Sequence, residues 1–146
     1  MNTAPPPGYL LVVEDSDEDF DTVLEAARAA SLRHEVRRAT SGDECLRLLG
    51  DSERAGRANP SLVLLDLNTP RGDGRDALRS IRQNERLRTL PLVVLSTSSN
   101  PRDLEFCYAT GANAYHTKPV SYPEHLKTLQ EIFSYWLTSV ALPASL

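Results

Sequence analysis

The stretch Leu62-Val63-Leu64-Leu65-Asp66 runs four apolar residues straight into a carboxylate. A short apolar run with no polar alternation fits a strand covered on both faces. Tyr9-Leu10-Leu11-Val12-Val13 has the same form and ends in Glu14-Asp15, and Pro91–Leu95 runs into Ser96. Shorter strand patterns lie at His34–Ala39 and at Ala114–Thr117, which leads into Lys118-Pro119. Helical patterns fill the intervals. Phe20, Val23, Leu24, Ala27 and Ala30 recur at helical spacing behind the acidic start at Asp17, which suits the positive end of a helix dipole. Ser41 with Glu44 forms a capping box ahead of Cys45, Leu46, Leu48 and Leu49, and Ser121 with Glu124 forms another ahead of the last helix. Ala77, Leu78 and Ile81 mark a third helix; Asn100-Pro101 opens a fourth, which Gly111 closes. The polar segment Gly50–Ser61 reads as a loop. Five strands alternating with five helices predict an α/β fold, a doubly wound five-stranded parallel sheet covered on both faces.

The chain has 146 residues, 40 % hydrophobic and 25 % charged, as expected of one soluble domain with a core large enough to need no disulfide or structural metal. Pro5-Pro6-Pro7-Gly8 predicts a disordered arm over residues 1–8. With no long apolar run and no signal-peptide layout at Met1, the expected location is cytoplasmic, with no membrane association. A net charge of −4 argues against a nucleic-acid binder, because neutralising phosphates needs a basic surface. Cys45 and Cys107 show no metal-binding spacing and read as small buried or half-buried thiols.

In a doubly wound sheet, ligands bind beyond the carboxyl ends of the strands. Glu14, Asp15, Asp66, Ser96 and Lys118 all fall there. Three carboxylates in one cleft repel unless protons or a cation offset them, and Mg2+ prefers oxygen ligands of this kind. Lys118 offers a compact positive charge and Ser96 a hydroxyl donor, both suited to phosphoryl oxygens. Asp66, ending a central strand, is the natural phosphoacceptor.

With these residues in place the chain resembles the receiver domains of two-component response regulators, whose fold is flavodoxin-like. The resemblance covers about Tyr9 to Trp136. It rests on Glu14-Asp15, Asp66 with Asn68-Thr69-Pro70-Arg71-Gly72-Asp73-Gly74, Ser96, and Tyr115-His116-Thr117-Lys118-Pro119, and on intervals of 30 residues from Asp66 to Ser96 and 22 from Ser96 to Lys118. It implies a regulator rather than an enzyme, phosphorylated on Asp66 by a sensor histidine kinase. Asp15 and Asp66 would ligate Mg2+, Glu14 through a water and Asn68 through its backbone carbonyl. Lys118 would be the counter-charge, and Ser96 and Tyr115 the switch pair. Tyr115 also reads as an ordinary core aromatic of its strand. His34, His116 and His125 converge on nothing and read as structural or surface.

Two other readings share this chemistry. A phosphatase of the haloacid-dehalogenase type needs a second aspartate two residues after the nucleophile, where Asn68 stands. A receiver-fold binding module acting without phosphorylation remains an alternative, one that a complete set of acceptor, metal and counter-charge residues disfavours.

Leu65 to Arg75, the long loop before Leu62, and the ending Tyr135 to Pro143 resemble the small single-domain regulators associated with bacterial phytochromes. That resemblance implies a bacteriophytochrome kinase as partner, and a homodimer. Leu126, Leu129, Phe133, Trp136 and Val140 form one apolar stripe, expected to pack on the sheet at least in its first part. Ile132, Tyr135, Leu137, Leu142 and Leu146 add apolar bulk off the stripe, where a monomer is expected to leave it uncovered. The expected organisation is therefore a receiver domain over residues 9–137 and a dimer arm over residues 138–146, with Trp136 and Leu142 near the centre of the interface.

Overall fold

A computed structural model describes residues 8–69 and 74–143. Residues 1–7 of the arm expected over residues 1–8, residues 70–73 of the turn after Asn68, and residues 144–146 of the expected dimer arm, Leu146 among them, lie outside the described residues. Strand β1 (Tyr9–Val13) pairs in parallel with β2 (Glu35–Ala39) on one side and the central β3 (Leu62–Leu65) on the other. Beyond β3 lie β4 (Leu92–Ser96) and β5 (Ala114–Thr117), giving the order β2-β1-β3-β4-β5, parallel throughout. The connections carry α1 (Asp17–Ala29), α2 (Gly42–Arg54), α3 (Gly74–Gln83) and α4 (Pro101–Thr110); α5 (Tyr122–Ser134) follows β5 and runs into a π-helical turn, Tyr135–Ser139. No helix among the described residues is long and apolar enough to cross a membrane.

The alternation of side chains along each strand divides the core in two. Leu11, Val13, Val63, Leu65 and Val94 pack with Cys45, Leu49, Leu78, Ile81 and Cys107 of α2, α3 and α4. Leu10, Val12, Leu62, Leu64 and Val93 face Val23 and Ala26 of α1 and Leu129, Ile132 and Phe133 of α5. Each fully buried large aliphatic or aromatic side chain contributes about 1.5–3 kcal/mol relative to exposure, so the all-apolar strands need a helical layer on both faces. Both thiols are buried, as expected, and burial pushes that of Cys45 up to about 12.

Three helix starts follow the predicted caps: Ser41, Asn100 and Ser121 accept from the backbone N–H of Glu44, Arg102 and Glu124. Ser16, not predicted as a cap, accepts from Asp19 N–H at the start of α1. Gly111 ends α4 at φ 119°, a left-handed conformation that suits glycine.

Two expectations fail. The loop expected from Gly50 begins later: α2 runs through Gly50 to Arg54, with Leu49 and Ser52 buried along it and Arg47 paired with Asp51 one turn on. Ile132, expected to be uncovered, is 2 % exposed. The face of α5 that meets α1 and the sheet carries Leu129, Ile132 and Phe133, while Leu126, Trp136 and Leu137, the last also expected to be uncovered, flank it half-buried.

Candidate phosphoacceptor and cation site

Backbone bonds extend the ladder one residue past the strands. Glu14 N–H donates to Ala39 O at 2.9 Å, Asp66 N–H to Val13 O at 3.1 Å, and Lys118 N–H to Ser96 O at 2.6 Å. The ends of β1, β3, β4 and β5 thereby hold Glu14, Asp66, Ser96 and Lys118 on one edge of the sheet. Gly74 fixes Asp66 from below. A Cβ there would lie 2.6 Å from Asp66 O and 2.7 Å from Leu67 Cα, so only glycine lets α3 start this close to the acceptor loop.

One carboxylate oxygen from each of Glu14, Asp15 and Asp66 lies within 4.8 Å of the others. Glu14 is buried, Asp66 nearly so, and Asp15 opens to solvent. An all-oxygen, anionic donor set with one open side fits a hard divalent cation that keeps some of its waters. Asn68 N–H donates to Asp66 Oδ1 at 3.0 Å, which brings the Asn68 backbone beside the cluster.

Lys118 lies 8 % exposed, and its Nζ donates to Glu14 Oε1 at 2.8 Å, Asp19 Oδ2 at 2.9 Å and Asp66 Oδ2 at 3.4 Å. Burial works against its charge, but these carboxylates outweigh it and hold its pKa above the usual value. For Glu14 burial dominates: its carboxyl is raised above its usual range despite the hydrogen bond and charge of Lys118, and Asp66 adds to the rise.

Ser96 is fully buried. Its Oγ accepts from Ser98 N–H at 3.2 Å and from Asn68 Nδ2 at 3.4 Å, so it already points into the loop beside the acceptor. Tyr115 is half-buried against the core on the α2–α4 side, and its hydroxyl donates to Ser98 O at 2.8 Å. The two readings of Tyr115 merge: the ring packs in the core while the hydroxyl holds the β4–α4 loop. Arg75 and Ser98 both bond Asp103 of α4, and their hydrogen bonds hold its carboxyl below the usual range.

Three residues outside the predicted set shape the site. Asp19 is a second close partner of Lys118, although the acidic run Asp17–Asp19 reads in sequence only as a complement to the helix dipole. Arg38 donates to Glu14 O at 2.9 Å and to Asp17 Oδ1 at 2.8 Å, clamping the β1–α1 loop; no signal in the sequence marks it. His125 is buried in α5, where both Asp19 and Lys118 act on it electrostatically. Trp136 and Leu142 line different cavities. Trp136 lies beside Ala114, His116 and Ile132, whereas Leu142 sits with Pro60 and Pro91 at the amino ends of β3 and β4.

Residues 10–130 match the family model described as the response regulator receiver domain. The chain is 39 % identical over 143 residues to response regulator Rcp1 of Synechocystis sp., covering 96 % of each chain. The crystal structure of the Mn2+-bound form of Rcp1 superposes with a TM-score of 0.88 at 38 % identity, over 94 % of this chain and 100 % of that one. That of the phosphorylated cyanobacterial phytochrome response regulator RcpA gives 0.88 at 34 % identity, over 94 % and 99 %.

Proposed function

The chain belongs to the response regulator receiver domain family, and from that premise we propose that Asp66 accepts a phosphoryl group from a sensor histidine kinase and that the protein signals through the contacts its phosphorylated form makes. The observation that carries this reading is the convergence of Glu14, Asp15 and Asp66 around one position with Lys118 bonded to Asp66. An Asp66 carboxylate oxygen forms the new bond to phosphorus as the phosphorus–nitrogen bond of a phosphohistidine breaks, the electron pair leaving with the imidazole. Lys118 offsets the added charge, and the Ser96 hydroxyl, rotated to donate, bonds a phosphoryl oxygen. Glu14, Asp15, Asp66 and the Asn68 carbonyl would hold Mg2+, which when bound neutralises charge developing on the phosphoryl oxygens. Removing Asp15, the solvent-facing ligand, should weaken Mg2+ binding by on the order of ten-fold, since one anionic ligand is lost.

The switch reading rests on Ser96 and Tyr115 meeting at Ser98: moving Ser96 Oγ onto a phosphoryl oxygen breaks the bond from Ser98 N–H, and Ser98 O is the acceptor of Tyr115. The phosphorylated state thereby repositions the β4–α4 loop and the face made by α4, β5 and α5.

The partner is a bacteriophytochrome-type kinase in the cytoplasm, in line with the phytochrome response regulator the chain resembles. Transfer of radiolabel from ATP through such a kinase to the wild-type protein and not to Asp66→Asn tests it. Label from unrelated kinases but none from a bacteriophytochrome would redirect the partner. No label from any donor would favour the binding-module reading.

The α4–β5–α5 face also serves as a homodimer surface, with residues 138–146 as its arm. Tyr135 is 55 % exposed, and its ring stacks edge-on against Trp136 at 5.2 Å, an aromatic pair at the rim of β5 suited to an interface. Sedimentation of the full chain and of a truncation ending at Tyr135 decides this: a dimer lost on truncation supports it, and a monomeric full chain at tens of micromolar contradicts it.

A further inference from the structure

Asp19 stands in the first turn of α1, and its Oδ2 is 2.9 Å from Lys118 Nζ, closer than Asp66 Oδ2 at 3.4 Å. An ammonium has three protons, and here Glu14, Asp19 and Asp66 face all three. A phosphoryl group on Asp66 adds roughly −1.5 to −2 charge and strong acceptor oxygens within reach of the same ammonium. The long bond to Asp66 Oδ2 can pass to a phosphoryl oxygen, but drawing the ammonium out from between Glu14 and Asp19 onto that group lengthens one of its two short bonds. Glu14 and Asp19 differ in what that release would cost them. The Glu14 side chain is 7 % exposed and would lose a hydrogen-bond donor where water cannot readily replace it, whereas that of Asp19 is 31 % exposed and can be taken up by water. Release would also leave α1 intact, because the Asp19 backbone N–H remains capped by Ser16 Oγ.

We propose that Asp19 is a parking site for Lys118: it holds the ammonium between itself and Glu14 in the unphosphorylated protein, is the partner released when Asp66 carries a phosphoryl group, and so weakens the hold of the site on that group. Asp19 is a positioning residue, acting only through Lys118. The proposal rests on Asp66 as acceptor and Lys118 as its counter-charge.

Titration with beryllofluoride in saturating Mg2+, followed by fluorine NMR, tests it on the full chain. Asp19→Asn and Asp19→Ala should each bind beryllofluoride about three- to ten-fold more tightly than wild type, the scale of one partly exposed charge-assisted hydrogen bond. Glu18→Gln, which removes an exposed charge from the same helical turn, should bind like wild type. In the structure of the wild-type complex, Lys118 Nζ should lie beyond hydrogen-bonding distance of Asp19. Unchanged or weaker binding in both Asp19 variants, equal tightening in Glu18→Gln, or an intact Lys118–Asp19 bond in the complex would overturn the parking role while leaving the acceptor assignment standing. Beryllofluoride that fails to bind wild type, or binds Asp66→Asn equally well, would overturn the acceptor assignment itself, and the parking role with it.

Discussion

Lys118 Nζ is 2.8 Å from Glu14 Oε1 and 3.4 Å from Asp66 Oδ2, so a single buried ammonium separates two carboxylates that end neighbouring strands. Without it, burial and mutual repulsion act on both carboxylates unopposed. Lys118→Met should therefore lower unfolding stability by about 2–4 kcal/mol in the absence of divalent cation. Added Mg2+ should return more stability to the variant than to wild type, because the cation then supplies the missing positive charge. Urea unfolding with and without Mg2+ measures both; identical midpoints for the two proteins without metal would show that the ammonium does not hold the site together.

Gly74 is the second structural constraint on Asp66. Alanine at a helical position normally gains about 1 kcal/mol over glycine. Here the new methyl would overlap backbone atoms of Asp66 and Leu67, which cannot swing aside as a side chain would. Gly74→Ala should destabilise by about 1–3 kcal/mol, reversing the helix preference. It should also slow phosphorylation by a small phosphodonor, since the acceptor loop must shift. Thermal unfolding and the phosphorylation rate should change together; an unchanged rate would mean the loop tolerates the displacement.

The histidines contribute to the acid side of the stability profile. Burial lowers the pKa of His125 below its ordinary 6.5; Asp19 opposes that in part, and Lys118 adds to it. Burial lowers His34 and His116 as well. An unfolded imidazole takes up a proton near pH 6.5 that the folded one refuses, so stability is full above that pH and falls as pH drops toward the folded values. The slope for His125 is at most about 1.4 kcal/mol per pH unit. Chemical unfolding between about pH 7.5 and about pH 5.5 should show this loss, and His125→Leu should reduce it. A variant as acid-sensitive as wild type would assign the loss elsewhere.

Why some of this was readable in the sequence and some was not comes down to particular residues. Tyr9–Val13 and Leu62–Leu65 declare themselves because unbroken apolar runs fit only strands covered on both faces, and the order of strands and helices then places Glu14, Asp66, Ser96 and Lys118 on one edge. Gly50 misleads because glycine usually ends a helix, whereas here Leu49 and Ser52 are buried on either side of it. Ile132 misleads because its cover comes from packing α5 against α1 and the sheet, which no local pattern encodes. Asp19 and Arg38 stay hidden for a related reason. Their partners lie 99 and 24 residues away, and nothing at either position differs from an ordinary surface charge.

The assignment of Asp66 as phosphoacceptor is tested most directly by incubating the protein with acetyl phosphate and Mg2+ and locating the modified residue by mass spectrometry. A single acid- and base-labile phosphoryl group on Asp66 is expected, absent from Asp66→Asn and from wild type in excess chelator. A phosphoryl group retained by Asp66→Asn, or one that forms fully without divalent cation, would contradict it.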